Sequence, residues 1–115
     1  MTLNDAGLRA FLAGLEQAID DGVQDTAESV LTARAGLVPI DSGDLRDSGH
    51  IDGEAGSGSR QVVEGTGLPD ARAIYTEYGT DRAPAQPHMT PAAEQTDAAA
   101  IVAKRLRALA DRSRI

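Results

Sequence analysis

Asn4-Asp5-Ala6-Gly7-Leu8-Arg9-Ala10-Phe11-Leu12-Ala13-Gly14-Leu15, running on through Ile19, Val23, Ala27, Val30 and Leu31 to Ala35, decides the architecture. Its apolar residues recur at i, i+3, i+4 and i+7, the repeat of a helix with one buried face. The spacing predicts a single long helix over 4–35. Thr2 or Asn4 supplies its N-cap. Gly36 stands where a C′ glycine ends a helix, and Pro39 follows shortly after. About 30 residues rising about 1.5 Å each make a rod of about 45 Å. That is long for a chain of 115 residues, so part of the rod is expected to pack on another element or subunit. Gly7, Gly14 and Gly22 each weaken a helix by about 1 kcal/mol relative to Ala. They mark either a close approach of another element or a break.

Downstream, the periodicity changes. Residues 37–48 read as a connector whose Asp41-Ser42-Gly43-Asp44 has the chemistry of a turn. A short strand over 47–52, the small-residue tip Gly53-Glu54-Ala55-Gly56-Ser57-Gly58-Ser59 and a second strand at Gln61-Val62-Val63-Glu64-Gly65 make a hairpin with a mobile end. Ala71 to Tyr78 reads equally as a helical turn or an irregular segment. Residues 81–89 form a polar, Pro-containing loop. The last helix, over 90–112, is expected to start with Thr90 as N-cap and Pro91 at the first helical position. Ala92, Ala98, Ile101, Val102, Leu106 and Leu109 form its apolar stripe, predicted to lie on the sheet. Together these elements predict one α+β domain over 1–115: long helix, connector and small antiparallel sheet (37–80), loop, C-terminal helix.

Composition narrows the class. The only aromatic residues are Phe11, Tyr75 and Tyr78, Trp and Cys are absent, and much of the 41% apolar content is Ala. Burial contributes about 25 cal/mol per Å² of apolar surface, so an Ala-rich core is weak per residue. Partner subunits are therefore expected to add stability. No basic-then-apolar leader opens the chain, and no apolar run approaches the roughly 20 residues that span a bilayer. A soluble protein made in the cytoplasm is expected, with no membrane partner.

The net charge of −7 is unevenly placed. Residues 1–98 carry seventeen acidic groups against six basic ones, while Lys104, Arg105, Arg107, Arg112 and Arg114 face only Asp111 in the last 17 residues. DNA binding relies on cations that neutralise phosphates, and most of this chain has the opposite sign. The basic tail reads first as a helix C-terminus complementing its own dipole. Its alternative is a docking surface for an acidic neighbour. Glu16, Asp20, Asp21, Asp25 and Glu28 read as a solvated acidic helix face, or else as an acidic surface on an assembly.

No constellation for catalysis stands out. His50 and His88 lack a His, Cys or carboxylate at a recognised ligand spacing. His88 reads as a loop-packing residue and His50 as an exposed strand residue. Gly56-Ser57-Gly58 lacks the following Gly-Lys-Ser/Thr of a phosphate loop. Asp41, Asp44 and Asp47 lack the spacing and closing Glu of a calcium loop. Nothing marks an activated nucleophile. The expectation is no enzyme activity, no cofactor and no metal.

Three stretches in register carry a resemblance. They are Val38-Pro39-Ile40-Asp41-Ser42-Gly43-Asp44-Leu45-Arg46-Asp47-Ser48, then Ile74-Tyr75-Thr76-Glu77-Tyr78-Gly79-Thr80, then Pro84-Ala85-Gln86-Pro87-His88-Met89-Thr90-Pro91-Ala92. In this order, and over nearly the whole chain, they resemble the small neck proteins of long-tailed bacteriophages: head–tail joining, tail completion or minor structural proteins. That family has a Pro-containing turn with Ser/Thr-Gly-x-Leu-Arg/Lys, then a Tyr…Glu-aromatic-Gly-Thr motif, then a Pro-rich loop into the last helix. His88 stands where an aromatic is usual, the hairpin is short, and Tyr75 lies close before Glu77.

The resemblance implies a non-enzymatic virion subunit at the neck, forming a homo-oligomeric ring of about six or twelve copies. Its neighbours would be head-closure or connector proteins and the tail terminator or tail-tube protein. Double-stranded DNA would pass through the channel without specific binding. Tail terminator is the nearest alternative, and a small DNA-binding regulator is the alternative from another class. The structural and interface residues implied are Leu45, Arg46, Tyr75, Glu77, Tyr78, Gly79, Pro87 and His88. Gly43 and Gly79 are expected where a Cβ would be resisted, and Leu45 as a core anchor. Arg46 and Glu77 either pair across two of the motifs or are both surface groups, and the two Tyr rings are expected to pack in the core or at a subunit interface.

Overall fold

The computed structural model describes residues 4–39, 43–66, 68, 72–79 and 84–113, leaving out the side chains of Arg72, Ile74 and Tyr75. Helix α1 runs Asp5–Leu37. Asn4 caps it, its Oδ1 accepting from the Gly7 N–H at 2.7 Å. Thr2, the other candidate cap, lies outside the described residues. The helix does not stop at Gly36. It carries on to Leu37, with Val38 N–H still bonded to the Arg34 carbonyl at 3.0 Å, and it ends ahead of Pro39. Proline cannot supply the next helical donor, and it pushes the residue before it out of helical geometry.

Next come α2 (Gly43–Asp47), β1 (His50–Asp52), β2 (Gln61–Val63), α3 (Arg72–Tyr78), α4 (Met89–Gln95) and α5 (Ala98–Arg112). The two strands pair antiparallel, His50 with Val63, Ile51 with Val62 and Asp52 with Gln61. The mostly helical chain with one small antiparallel sheet is consistent with the α+β class. Among the described residues, no helix is long and apolar enough to cross a membrane.

Several boundaries differ from the sequence expectation. The connector contains a helical turn, α2, and the first strand is confined to its end. Five residues are too few to form a helix unaided; this turn is held by Leu45, which is fully buried. The ambiguous segment before Gly79 is helix α3. Gly43 lies inside α2 and needs no positive φ, whereas Gly79 has φ 80°. The Asp41-Ser42 part of the turn lies outside the described residues.

The predicted last helix is two. Thr96 leaves α4 in extended geometry (φ −92°, ψ 118°). Asp97 then caps α5, accepting from Ala100 N–H at 3.0 Å. Thr90 is inside α4 rather than its cap, and α4 starts after His88.

The chain groups into two compact units. One comprises residues 1–26, 53–60 and 97–115. The other comprises 27–52 and 61–96. In the first, α5 lies against the N-terminal part of α1. A Cβ built on Gly22 would sit 3.0 Å from the Val102 backbone, and one on Gly14 would sit 3.1 Å from Leu109 Cδ1. Ala18, between them, is 3% exposed. The glycines thus serve close approach rather than a break. The contacts described for the last helix are with α1. An Ala/Gly helix face lets a second helix backbone come this close.

Candidate functional site

In the second unit, the side chain of Arg34 projects from the last turns of α1 at 1% exposure. It sits in phase with Ala27, Leu31 and Val38, on the helix's inward face. Its three nitrogens each reach a different acceptor. Nε bonds Glu64 Oε2 at 2.9 Å, Nη1 the Arg46 carbonyl at 3.1 Å and Nη2 the Leu45 carbonyl at 2.8 Å. The planar guanidinium suits this fork. A Cβ at Gly49 would overlap the guanidinium, so only glycine leaves room for it. Ser48 Oγ completes the bracket, donating to the Leu45 carbonyl at 2.6 Å and accepting from Gly65 N–H at 2.8 Å.

Glu64 follows β2 and bridges Arg34 to His88. Its second oxygen bonds His88 Nε2. His88 is fully buried. Its Nδ1 faces the Gln86 carbonyl at 3.2 Å and Glu77 Oε2 at 3.4 Å. Both ring nitrogens therefore meet oxygen partners.

Glu77, from α3, closes the chain of charges. Its carboxylate accepts the N–H groups of His88 (2.8 Å), Met89 (3.0 Å) and Thr90 (3.0 Å). Burial pushes its pKa up, but the three N–H donors and the Thr90 hydroxyl outweigh that and bring it down to about 2. The Pro-rich loop is tied to α3 a second time by Gln86 N–H on the Thr76 carbonyl at 2.7 Å.

The first unit holds a separate ionic clasp. Asp20, 3% exposed on α1, takes a bidentate Arg60 guanidinium (2.9 and 3.0 Å) and the N–H groups of Gly56 and Gly58, each at 2.9 Å. The positive φ of those glycines, 86° and 70°, turns the amides toward the carboxylate. The Arg60 bonds, then the two amides, hold Asp20 well below the usual carboxylate range. Gln24 Oε1 accepts from Arg60 Nε at 2.8 Å. Arg105 on α5 pairs with Asp25 at 2.6 and 3.0 Å, which lowers the Asp25 pKa.

These contacts revise three expectations. The Gly/Ser tip is not a free end, because its backbone is bonded to α1. The acidic face of the long helix is not simply solvated, because Asp20 and Asp25 are paired with bases from far along the chain. Arg46 does not pair with Glu77: its side chain is half exposed near Asp47 (3.8 Å), while its carbonyl serves Arg34. Glu77 is taken up by backbone amides instead.

The other expected residues fall as follows. Leu45 and His88 are fully buried, Glu77 is 8% exposed, Gly79 has a positive φ, and Pro87 is exposed. Tyr78 is 75% exposed, so the core-packing reading fails for it. The Tyr75 side chain lies outside the described residues. His50 is partly exposed, with Nδ1 on the Ser48 carbonyl (3.0 Å) and Nε2 3.4 Å from Asp52. Sequence reasoning missed Arg34, Glu64, Asp20 and Arg60. A signal existed for Arg34: a cation on the apolar phase of a helix must find an acid. No local signal marks the other three.

Chemically, the Arg34–Glu64–His88–Glu77 chain is a buried network of two acids, a guanidinium and an imidazole. Among the described residues no buried side-chain N or O lacks a partner, and no trio of His, Cys or acids is set to hold a metal. Each acid oxygen and each ring nitrogen is already engaged inside the fold. The network fixes α1, the connector, the end of β2, α3 and the start of α4 to one another. The chain matches no family model, no curated protein and no solved structure.

Proposed function

We propose that this chain is a non-enzymatic structural subunit of the neck of a long-tailed bacteriophage, acting in tail completion or head–tail joining. The observation that carries the reading is that its three motif stretches meet in one network. The first supplies the Leu45 and Arg46 carbonyls, the second Glu77, and the third His88 with the Met89 and Thr90 amides. Motifs that resemble a family's in order and spacing are here joined by bonds that set the backbone course, which is what a scaffold requires. The exposed Tyr78, at the end of α3, fits contact with a neighbouring subunit, where Tyr is enriched. The acidic balance suits a channel through which DNA slides without being held.

The test is loss of the protein in a phage that encodes it. Finished heads and finished tails that fail to join support the proposal. Tails of uncontrolled length point to a terminator instead. Normal particles refute a neck role. Native mass measurement of the purified protein with its neighbours then reads whether rings form.

A further inference from the structure

Four residues of the first unit stand out for what they leave uncovered. Leu8, Leu12 and Ile19 are 44%, 46% and 40% exposed, and Leu15 beside them is half-buried. Their spacing along α1 is four, three and four residues, the alternation of a coiled-coil seam. The seam is distinct from the face that receives α5, which is defined by Gly14, Ala18 and Gly22. Arg9 and Glu16 flank it on one side, both exposed and without an ion pair among the described residues.

We infer that this seam pairs with the same seam of a second copy, antiparallel, about a two-fold axis passing between Ala13 and Gly14. The pattern is self-complementary in that orientation. Leu8 then faces the partner's Ile19, and Leu12 faces the partner's Leu15. Arg9 comes beside the partner's Glu16, and Glu16 beside the partner's Arg9, so one operation forms two ion pairs. In a parallel pairing like residues face each other, and Arg9 and Glu16 find no opposite charge across the seam. The charges therefore select both the partner, a copy of this chain, and the direction. A two-fold contact uses the same patch on both subunits. It is thus separate from any head-to-tail contact that would close a ring, and it does not depend on the neck reading.

Sedimentation equilibrium of the full chain tests this. Wild type is expected to dimerise reversibly. Leu12→Gln, which removes two apolar contacts per dimer, weakens association by about tenfold or more. Arg9→Glu alone and Glu16→Arg alone each weaken it by about threefold or more, and the double swap Arg9→Glu with Glu16→Arg restores it. Far-UV circular dichroism checks that each variant keeps its helix content.

Direction is read by oxidation, since the wild-type chain has no Cys. Arg9→Cys with Glu16→Cys is expected to give a covalent dimer, and Arg9→Cys alone is not. A monomer at every concentration, single swaps without effect, or efficient cross-linking of Arg9→Cys alone would overturn the inference. Rings whose mass Leu12→Gln leaves unchanged would also overturn it while leaving the neck proposal standing.

Discussion

The two halves of α1 solve the same problem with different chemistry. Each buries one charged side chain that clasps a distant segment: Asp20 holds the hairpin tip, and Arg34 holds the connector and β2. Asp20 is satisfied by a guanidinium and two glycine amides. Losing it frees a tip that carries no large side chain. Arg34 is the head of a longer chain of charges that ends on the amides opening α4. Losing it strands an acid, an imidazole and two carbonyls in a buried place. The same bond type thus serves as a tether in one half and as a keystone in the other, and what hangs on the far end decides which.

The largest effect should follow from breaking the keystone. Arg34→Met leaves Glu64 without its cation and the Leu45 and Arg46 carbonyls without donors. Removing one partner of a buried ion pair destabilises by about 3–5 kcal/mol. Urea unfolding should show that loss as a lower midpoint. Gly49→Ala attacks the same guanidinium from outside, since a Cβ there overlaps it, and should shift the midpoint in the same direction. If neither variant is destabilised, Arg34 is no keystone and the contrast collapses.

Glu77→Gln comes next. It keeps the shape but loses the charge that accepts three amides, and should reduce stability by about 1–3 kcal/mol. Its pH signature has a fixed sign. The Glu77 pKa lies at about 2 in the folded chain against an ordinary 4.5. Between those values the unfolded chain binds the extra proton, so stability is fully present above about 4.5 and falls as pH drops toward 2. Urea midpoints of wild type should fall across that window. Glu77→Gln should lose Glu77's part of the slope, and equal slopes in both proteins would contradict the assignment.

Asp20→Asn should act locally. It weakens the Arg60 pair and the Gly56 and Gly58 bonds while leaving α1 and α5 in contact. Hydrogen exchange at the Gly56 and Gly58 amides should speed up, with a smaller change in urea midpoint than Arg34→Met produces. A global loss as large as that of Arg34→Met would make the two clasps equivalent.

The parts legible from sequence were those with local causes. The 3.6-residue repeat gives α1, Asn4 is a cap by its chemistry, and Pro39 limits the helix from beyond its end. The break between α4 and α5 has a local signal in Thr96-Asp97, but Ala92, Ala98 and Ile101 continue the apolar stripe across it. Helix α2 had none: its five residues are helical because Leu45 is buried. The site was half legible. The motifs marked Leu45, Glu77 and His88, but their partners are chosen by the fold. Arg34 meets Glu64 across 30 residues and Asp20 meets Arg60 across 40, separations at which no spacing rule operates. Opposite charge alone suggested Arg46 for Glu77, and the amides of a helix start outcompeted it.

The smallest effects come from two glycines, and they should differ in sign along the one helix. Alanine favours a helix over glycine by about 1 kcal/mol. At Gly36 a Cβ meets nothing within 4 Å, so Gly36→Ala should raise stability by part of that amount, less than the full value because the site is in the last turn. At Gly22 the Cβ would stand 3.0 Å from both Cα and Cγ2 of Val102. The side chain can turn, but the backbone of α5 cannot yield without moving the helix. Overpacking of this kind costs about 1–3 kcal/mol, more than the propensity gain. Gly22→Ala should therefore lower the urea midpoint while Gly36→Ala raises it. A rise at both positions would mean that α5 has slack against α1, and that the N-terminal half is held by its Asp20 and Asp25 ion pairs rather than by close packing.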